Sequence, residues 1–145
     1  MTVDRLGVAT GWLLVAMTAV QIALPYLLRG RLLAANGWSL SYLDRMRPHF
    51  WIGLSVAGLT LLHAGVAMSG PMGSGGVYAA GLWIATGGLL LVLGQASVGM
   101  RLRSLRGPER LKLRKTHFRF MVAIVLVGLL HIALNGLLPQ GIPAL

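Results

Sequence analysis

Four histidines are the residues of this chain whose type and spacing could do chemistry. They form two pairs, His49/His63 and His117/His131, and the members of each pair are 14 residues apart on one long apolar segment. An ionisable side chain is costly inside a membrane and marks a functional site by default. Imidazole is also the commonest metal ligand among protein side chains. The repeated spacing predicts two metal centres stacked across a membrane.

The segments that hold these histidines have the composition of membrane-spanning helices. The 145 residues are 56% hydrophobic and only 11% charged, with a mean hydropathy of +0.75, whereas a soluble domain carries about 25% charged residues. A membrane span needs about 20 apolar residues. We therefore expect an all-α membrane protein in which residues 1–145 form a single four-transmembrane-helix bundle, with helices at about 6–28, 48–69, 77–100 and 116–138.

Other features of the sequence fit this arrangement. The glycine- and proline-rich stretch 69–76 predicts a turn between the second and third helices. The first apolar run is too long for the core of a signal peptide and is interpreted as a retained helix. Cysteine is absent, which excludes disulfides and cysteine-ligated clusters.

The net charge of +10 is concentrated in two segments. One lies between the first and second spans, and the other is a basic loop expected over residues 101–115. By the positive-inside rule both segments face the cytoplasm, which leaves both termini outside. We expect the basic residues to contact anionic lipid. Nucleic acid is not an expected partner, because the chain lacks a soluble basic face interleaved with aromatic residues.

Helical geometry aligns the two histidine pairs. Fourteen residues of α-helix rise about 21 Å and complete almost four turns, so both histidines of a pair point in nearly the same direction. The second and fourth helices run parallel because one span separates them. His49 and His117 then share the cytoplasmic level, and His63 and His131 share the outer level.

Two imidazoles at each level, without a carboxylate or thiolate, suit one class of centre best. Zinc prefers four tetrahedral ligands and copper would want a third ligand, whereas haem supplies four in-plane nitrogens and needs only two axial ligands. We therefore expect two haem b groups between the second and fourth helices, ligated by His49/His117 and His63/His131. The alternative is that the histidines are hydrogen-bonding groups between helices and bind no iron.

Haem propionates are anions that usually need cationic or hydroxyl partners at the membrane edge. The outer haem has no comparable basic cluster nearby. For the inner haem, the expected cofactor-binding cations are Arg45, Arg47, Arg114 and Arg119, together with Lys115.

The helix order and histidine spacing resemble the diheme transmembrane cytochrome b family. The closest resemblance is to the four-helix haem core in the N-terminal half of cytochrome b/b6, which carries His-x13-His on its second and fourth helices. That family also tends to place small residues 14 apart on its first and third helices, and Ala9/Ala23 and Gly81/Gly94 match this only in part. Ferric-reductase-type haem domains are less similar.

The resemblance implies electron transfer, while missing motifs limit the reaction. The quinol-oxidation motif Pro-Glu-Trp-Tyr is absent, and no nucleotide-binding motif is present. We expect a non-catalytic diheme b-type cytochrome subunit that carries electrons across a bacterial or organellar inner membrane, between redox partners of a larger oxidoreductase complex. One alternative is a self-contained quinol-linked or ferric-type reductase, with a quinone as an additional ligand. Another is a haem-free membrane anchor or assembly scaffold.

Overall fold

Four helices make up most of the chain that the structure describes. The structure is a computed structural model, and it describes residues 3–29, 44, 46–69 and 76–134. All four helices are long and apolar enough to cross a membrane. This confirms the expected all-helical class with four candidate spans, and it suggests an integral membrane protein. In chain order the helices are α1 (Val3–Arg29), α2 (Arg47–Ser69), α3 (Gly76–Ser104) and α4 (Gly107–Ile132).

Large apolar side chains remain exposed along the helices. Trp12, Trp51 and Trp83 are each at least 60% exposed, and within the described residues the buried apolar core is limited to Val56 and Ala57. In water such surfaces would be unfavourable, whereas hydrocarbon accommodates them and a helix satisfies its own backbone hydrogen bonds there. Polar side chains in these spans are therefore expected to seek partners on a neighbouring helix.

The chain divides into two compact units, Met1–Ala67 and Met68–Leu145. We call the pair α1 and α2 the N-terminal hairpin, and the pair α3 and α4 the C-terminal hairpin. The expectation that residues 1–145 form a single domain stays a prediction.

Close contacts define the register of the N-terminal hairpin. A Cβ atom placed on Gly7 would lie 3.9 Å from Val66, and one placed on Gly11 would lie 3.3 Å from the His63 ring. Low residue numbers on α1 thus meet high residue numbers on α2, so the two helices are antiparallel. This register brings polar atoms of α1 to both histidines of α2.

The C-terminal hairpin is antiparallel in the same way. A Cβ atom on Gly88 would lie 3.2 Å from Val127, and one on Gly94 would lie 3.1 Å from the Phe120 ring. Glycines on α3 therefore allow a close approach of side chains from α4.

The segment between the third and fourth spans is helical, and the expected basic loop over 101–115 is wrong. Only Leu105 and Arg106 separate α3 from α4. Arginine, lysine and leucine are strong helix formers, and Pro108 lies in the first turn of α4, where its missing N–H costs no hydrogen bond. Gly107 makes the turn with a φ of 65°, which glycine adopts without steric cost. The basic residues therefore extend the two spans as helix.

The remaining differences concern the ends of elements. Helix α1 begins at Val3 and α4 ends at Ile132. Residues 70–75 of the expected turn and 135–138 of the expected fourth helix lie outside the described residues.

Candidate functional site

All four histidines lie on the second helix of their hairpin, and each is half-buried. His49 is in the first turn of α2, with His63 fourteen residues later. His117 lies ten residues into α4, and His131 is in its last turn. The helix that precedes them in each hairpin supplies polar groups that contact three of these rings.

His49 is held by the backbone of α1 at a proline. Pro25 lies inside α1 and has no N–H, so it cannot donate the usual helical hydrogen bond to the carbonyl of Gln21 four residues earlier. The Nδ1 atom of His49 lies 3.1 Å from that carbonyl oxygen. Because a carbonyl only accepts, the ring donates through Nδ1–H. In the neutral imidazole the lone pair is then on Nε2.

The side chain of Gln21 reaches the opposite edge of the same ring. Its Nε2 atom lies 3.4 Å from Nε2 of His49, which suits an amide N–H that donates to the ring lone pair. Gly53, one turn further along α2, leaves the room for this carboxamide, since a Cβ atom there would lie 2.7 Å from the Gln21 Nε2 atom. One residue of α1 thus contacts both nitrogens of His49.

His63 is held by a threonine hydroxyl. The Oγ1 atom of Thr10 lies 2.9 Å from Nδ1 of His63, and it also lies 2.8 Å from the Leu6 carbonyl oxygen and 3.0 Å from that of Gly7. A hydroxyl carries one hydrogen, and inside a helix it is donated back to a carbonyl three or four residues earlier. With that hydrogen on either carbonyl, the hydroxyl oxygen accepts from Nδ1–H of His63, and the lone pair of this ring is then on Nε2.

His117 contacts α3 through a second glutamine. The Nε2 atom of Gln95 lies 3.3 Å from Nε2 of His117. The corresponding distance between Gln21 and His49 is 3.4 Å. Gly99 faces the same ring, with 3.5 Å between a Cβ atom placed there and Cε1 of His117. Within the described part of the chain, the side-chain oxygens of Gln95 and Gln21 are buried without a hydrogen-bond partner, a costly arrangement in an apolar setting.

The register of the C-terminal hairpin places His131 level with the first half of α3. Counting along both antiparallel helices from the contact of Gly88 with Val127 brings His131 to the level of Ile84. This level is one turn before Gly88. The two histidines of α4 thus lie level with different halves of α3.

The expected haem-binding arginines lie on exposed surface. Arg47 precedes His49 by two residues at the start of α2, and Arg114 and Arg119 flank His117 on α4; all three side chains are exposed. Arg45 lies outside the described residues. Their role with haem propionates stays a prediction.

The expected ligand pairs each take one histidine from either hairpin, and they stay predictions. Across the described ranges, no three side chains of His, Cys, Asp or Glu come together. Of the small residues that match the cytochrome b pattern in part, Ala9 and Ala23 are exposed, Gly81 is buried, and Gly94 packs against Phe120. The resemblance to the diheme cytochrome b family is likewise a prediction, since no family model, curated protein or solved structure matches this chain.

Sequence reasoning missed the residues that support the histidines. Gln21 and Gln95 are each the sole carboxamide of their span, and a lone amide in a membrane helix predicts an interhelical hydrogen bond. Pro25 is a second signal, because a proline inside a span releases a backbone carbonyl. Thr10 carried no such signal, since threonines in spans commonly bond only to their own helix.

Proposed function

We propose that this chain is a diheme b-type cytochrome subunit that carries electrons across a membrane between redox partners of a larger complex. The observation that carries the proposal is the matched support of His49 and His63. Their Nδ1 atoms lie 3.1 Å from the Gln21 carbonyl oxygen and 2.9 Å from the Thr10 hydroxyl. Metal-ligating histidines almost always donate their other ring N–H to such an acceptor. Support of this kind at two positions of one helix suits two metal centres.

The donor set fits haem. In the proposed arrangement His49 and His117 hold one haem through Nε2, and His63 and His131 hold the other. The contacts at Nδ1 of His49 and His63 place the lone pair on Nε2. The carboxamides of Gln21 and Gln95 lie 3.4 Å and 3.3 Å from Nε2 of His49 and His117, so they would turn away when haem binds. When bound, each haem supplies a one-electron redox couple.

The remaining residues of the spans exclude water and set the electrostatic environment. Exposed apolar side chains such as Trp12 and Leu126 suit a hydrocarbon surrounding, in which each nearby charge acts more strongly than in water. In the proposed arrangement two imidazoles would hold each haem iron, which would leave no place for a substrate on it. The proposed task is therefore outer-sphere electron transfer.

Charge defines the proposed orientation and the cationic partners of the haem propionates. Arg101 and Arg103 lie in the last turn of α3, and further basic residues occupy the first half of α4. Under the positive-inside rule these helix ends face the cytoplasm of a bacterium or the interior of an organelle. Arg114 and Arg119, with Arg47 and Arg45, then lie on the side of the membrane proposed for the inner haem.

The contacts between glutamine and histidine favour one candidate from another class. Gln21 with His49 and Gln95 with His117 are interhelical polar pairs, and such pairs stabilise helix association in membranes without any cofactor. A haem-free membrane anchor or assembly scaffold would need only these contacts. A self-contained quinol-linked or ferric-type reductase is the alternative among haem proteins.

Optical spectroscopy of the purified chain tests the proposal. We expect the reduced-minus-oxidised spectrum to show haem b bands and the pyridine haemochromogen assay to give two haems per chain. His63→Ala should leave one haem, because it removes one of the two residues proposed to hold the outer haem. Leu62→Ala changes the neighbouring exposed residue and serves as the control, which should keep both haems.

Each alternative predicts a different result. The absence of haem bands from the chain purified with haem supplied would overturn the proposal and favour the anchor or scaffold. Turnover of a quinol or a ferric chelate by the purified chain alone would replace the subunit with the self-contained reductase.

A further inference from the structure

We propose that α1 sets the protonation pattern of both histidines on α2, with Pro25 and Thr10 as positioning residues. Each would hold its histidine as the Nδ1–H tautomer, so that the ring lone pair is on Nε2 before any ligand arrives. The tautomers follow from contacts within the N-terminal hairpin. The use of these tautomers to orient the histidines toward haem is the one part that rests on the proposed function.

Pro25 acts through the carbonyl that it leaves without a helical donor. In an uninterrupted helix the N–H of residue 25 would bond to the carbonyl of Gln21, and proline cannot supply it. A backbone carbonyl in apolar surroundings needs another donor. The Nδ1 atom of His49 is 3.1 Å away, so this ring satisfies the carbonyl and becomes fixed in its tautomer. Pro25 on α1 thus frees a carbonyl, and His49 on α2 donates a hydrogen bond to it.

Thr10 acts through the direction of its single hydroxyl hydrogen. The residue is 7% exposed, and its oxygen lies 2.8 Å from the carbonyl oxygen of Leu6. With the hydrogen directed to that carbonyl, only an oxygen lone pair faces His63, and the 2.9 Å contact must be donated by Nδ1–H. The threonine therefore selects the same tautomer as Pro25 by a different chemical route.

The carboxamide of Gln21 agrees with this assignment. Its nitrogen, a donor, lies 3.4 Å from Nε2 of His49, the atom that carries the lone pair in the Nδ1–H tautomer. The backbone and side-chain contacts of Gln21 thus agree on the same proton position. Free neutral imidazole of histidine favours the Nε2–H form, so the hairpin would reverse an intrinsic preference at both sites.

Nitrogen-15 NMR of histidine-labelled full-length chain, prepared without haem in detergent micelles, tests the tautomers directly. The ring nitrogens that carry a proton and those that carry a lone pair have widely separated shifts. At a pH where the imidazoles are neutral, we expect His49 and His63 to show protonated Nδ1 and lone-pair Nε2. A dominant Nε2–H form at either histidine would overturn the proposal for that residue.

Thr10→Val removes the hydroxyl with little change in volume and should return His63 toward the Nε2–H form while His49 stays unchanged. Thr10→Ser keeps the hydroxyl and should restore the Nδ1–H form. Thr60→Val is the matched control, because the Thr60 hydroxyl bonds to Val56 of its own helix at 2.8 Å. If Thr10→Val leaves the His63 shifts unchanged, Thr10 is not a positioning residue.

Pro25→Ala restores an N–H at position 25 and lets α1 bond to its own Gln21 carbonyl. His49 should then populate both tautomers, whereas Pro108→Ala, which changes a proline in the first turn of α4, should leave His49 unchanged. This variant favours helix formation, so loss of the fold is not expected to hide the result. An unchanged Nδ1–H signal in Pro25→Ala would overturn the role of the proline.

The haem-loaded chain gives a separate readout. An acceptor at Nδ1–H makes the imidazole a more basic ligand, which favours ferric iron, so Thr10→Val should raise the midpoint potential of one haem and leave the other in place. No shift in either midpoint would overturn the link between tautomer and ligand. A chain that shows the predicted tautomers but binds no haem would contradict the proposed function and leave the tautomer assignment standing.

Discussion

Both hairpins hold histidines between antiparallel helices, but the groups that contact the histidine rings differ between the two. In the N-terminal hairpin, α1 contacts His49 through a carbonyl released by Pro25, and it contacts His63 through a hydroxyl. In the C-terminal hairpin, α3 contains no proline, so its carbonyls keep their helical donors. His117 is contacted there by the carboxamide of Gln95.

The ring of His49 is oriented by a backbone carbonyl, which we call backbone control, and the ring of His117 is contacted by a carboxamide, which we call side-chain control. A carbonyl inside a helix is fixed in place by the helix, whereas a carboxamide reaches its target through rotatable bonds. The ring orientation of His49 should therefore withstand side-chain substitutions that release His117. In the proposed pairing, the iron held by His49 and His117 would have one ligand oriented by a backbone group and one contacted by a side chain.

The largest expected effect is loss of haem when the proposed histidine ligands of the two hairpins are replaced. His49→Ala and His117→Ala should each reduce the haem content from two per chain to one, and the double variant should also retain one because both changes remove the same centre. His49→Ala combined with His63→Ala should retain none. Pyridine haemochromogen stoichiometry measures these values, and loss of both haems in the His49→Ala/His117→Ala variant would contradict the proposed pairing.

The next effect compares glycines that face different neighbours. A Cβ atom on Gly94 would lie 3.1 Å from the Phe120 ring, so Gly94→Ala should destabilise the chain by about 1–2 kcal/mol through overpacking. Gly53→Ala would meet only the flexible end of Gln21, and its gain of helix propensity, about 1 kcal/mol, should offset the lost contact.

Helical circular dichroism during denaturation of the micelle-bound chain with sodium dodecyl sulfate measures both stabilities. Gly58→Ala, with no atom within 4 Å of the added Cβ, calibrates the gain in helix propensity alone. A larger loss for Gly53→Ala than for Gly94→Ala would show that the Gln21 carboxamide is not free to move.

The third effect tests backbone control against side-chain control. Gln95→Leu should release His117 and change its tautomer ratio by about fivefold, the equivalent of one hydrogen bond of about 1 kcal/mol. Gln21→Leu should leave His49 in the Nδ1–H form because the backbone carbonyl at position 21 remains. Nitrogen-15 shifts measure both ratios, and equal changes in the two variants would remove the distinction between the hairpins.

The smallest effect concerns the space beside two rings. A Cβ atom on Gly99 would be in ordinary contact with His117 at 3.5 Å, whereas one on Gly11 would be tight against His63 at 3.3 Å. We expect Gly11→Ala to be less stable than Gly99→Ala by about 0.5 kcal/mol, since the His63 ring must shift slightly. The same denaturation measurement applies, and the reverse order would contradict the register of one hairpin.

Hydropathy and the rarity of histidine in membrane spans predicted the helices and the candidate ligands, but not the atoms that support them. The four spans follow from long apolar runs alone. The extension of α3 to Ser104 and the start of α4 at Gly107 were missed because charge excluded these segments from the apolar windows, although arginine and lysine also favour helix. The contact of Thr10 with His63 depends on how α1 is rotated about its axis, which no local pattern in either helix specifies.

The short connection between α3 and α4 has a consequence for chain entropy. Only Leu105 and Arg106 join these helices, and the entropy lost on closing a loop grows with its length. Pairing of α3 with α4 therefore costs little chain entropy, and contacts such as those of Gly88 with Val127 and of Gly94 with Phe120 have little of it to offset. Each doubling of this connection by inserted residues should weaken the pairing by about 0.6 kcal/mol.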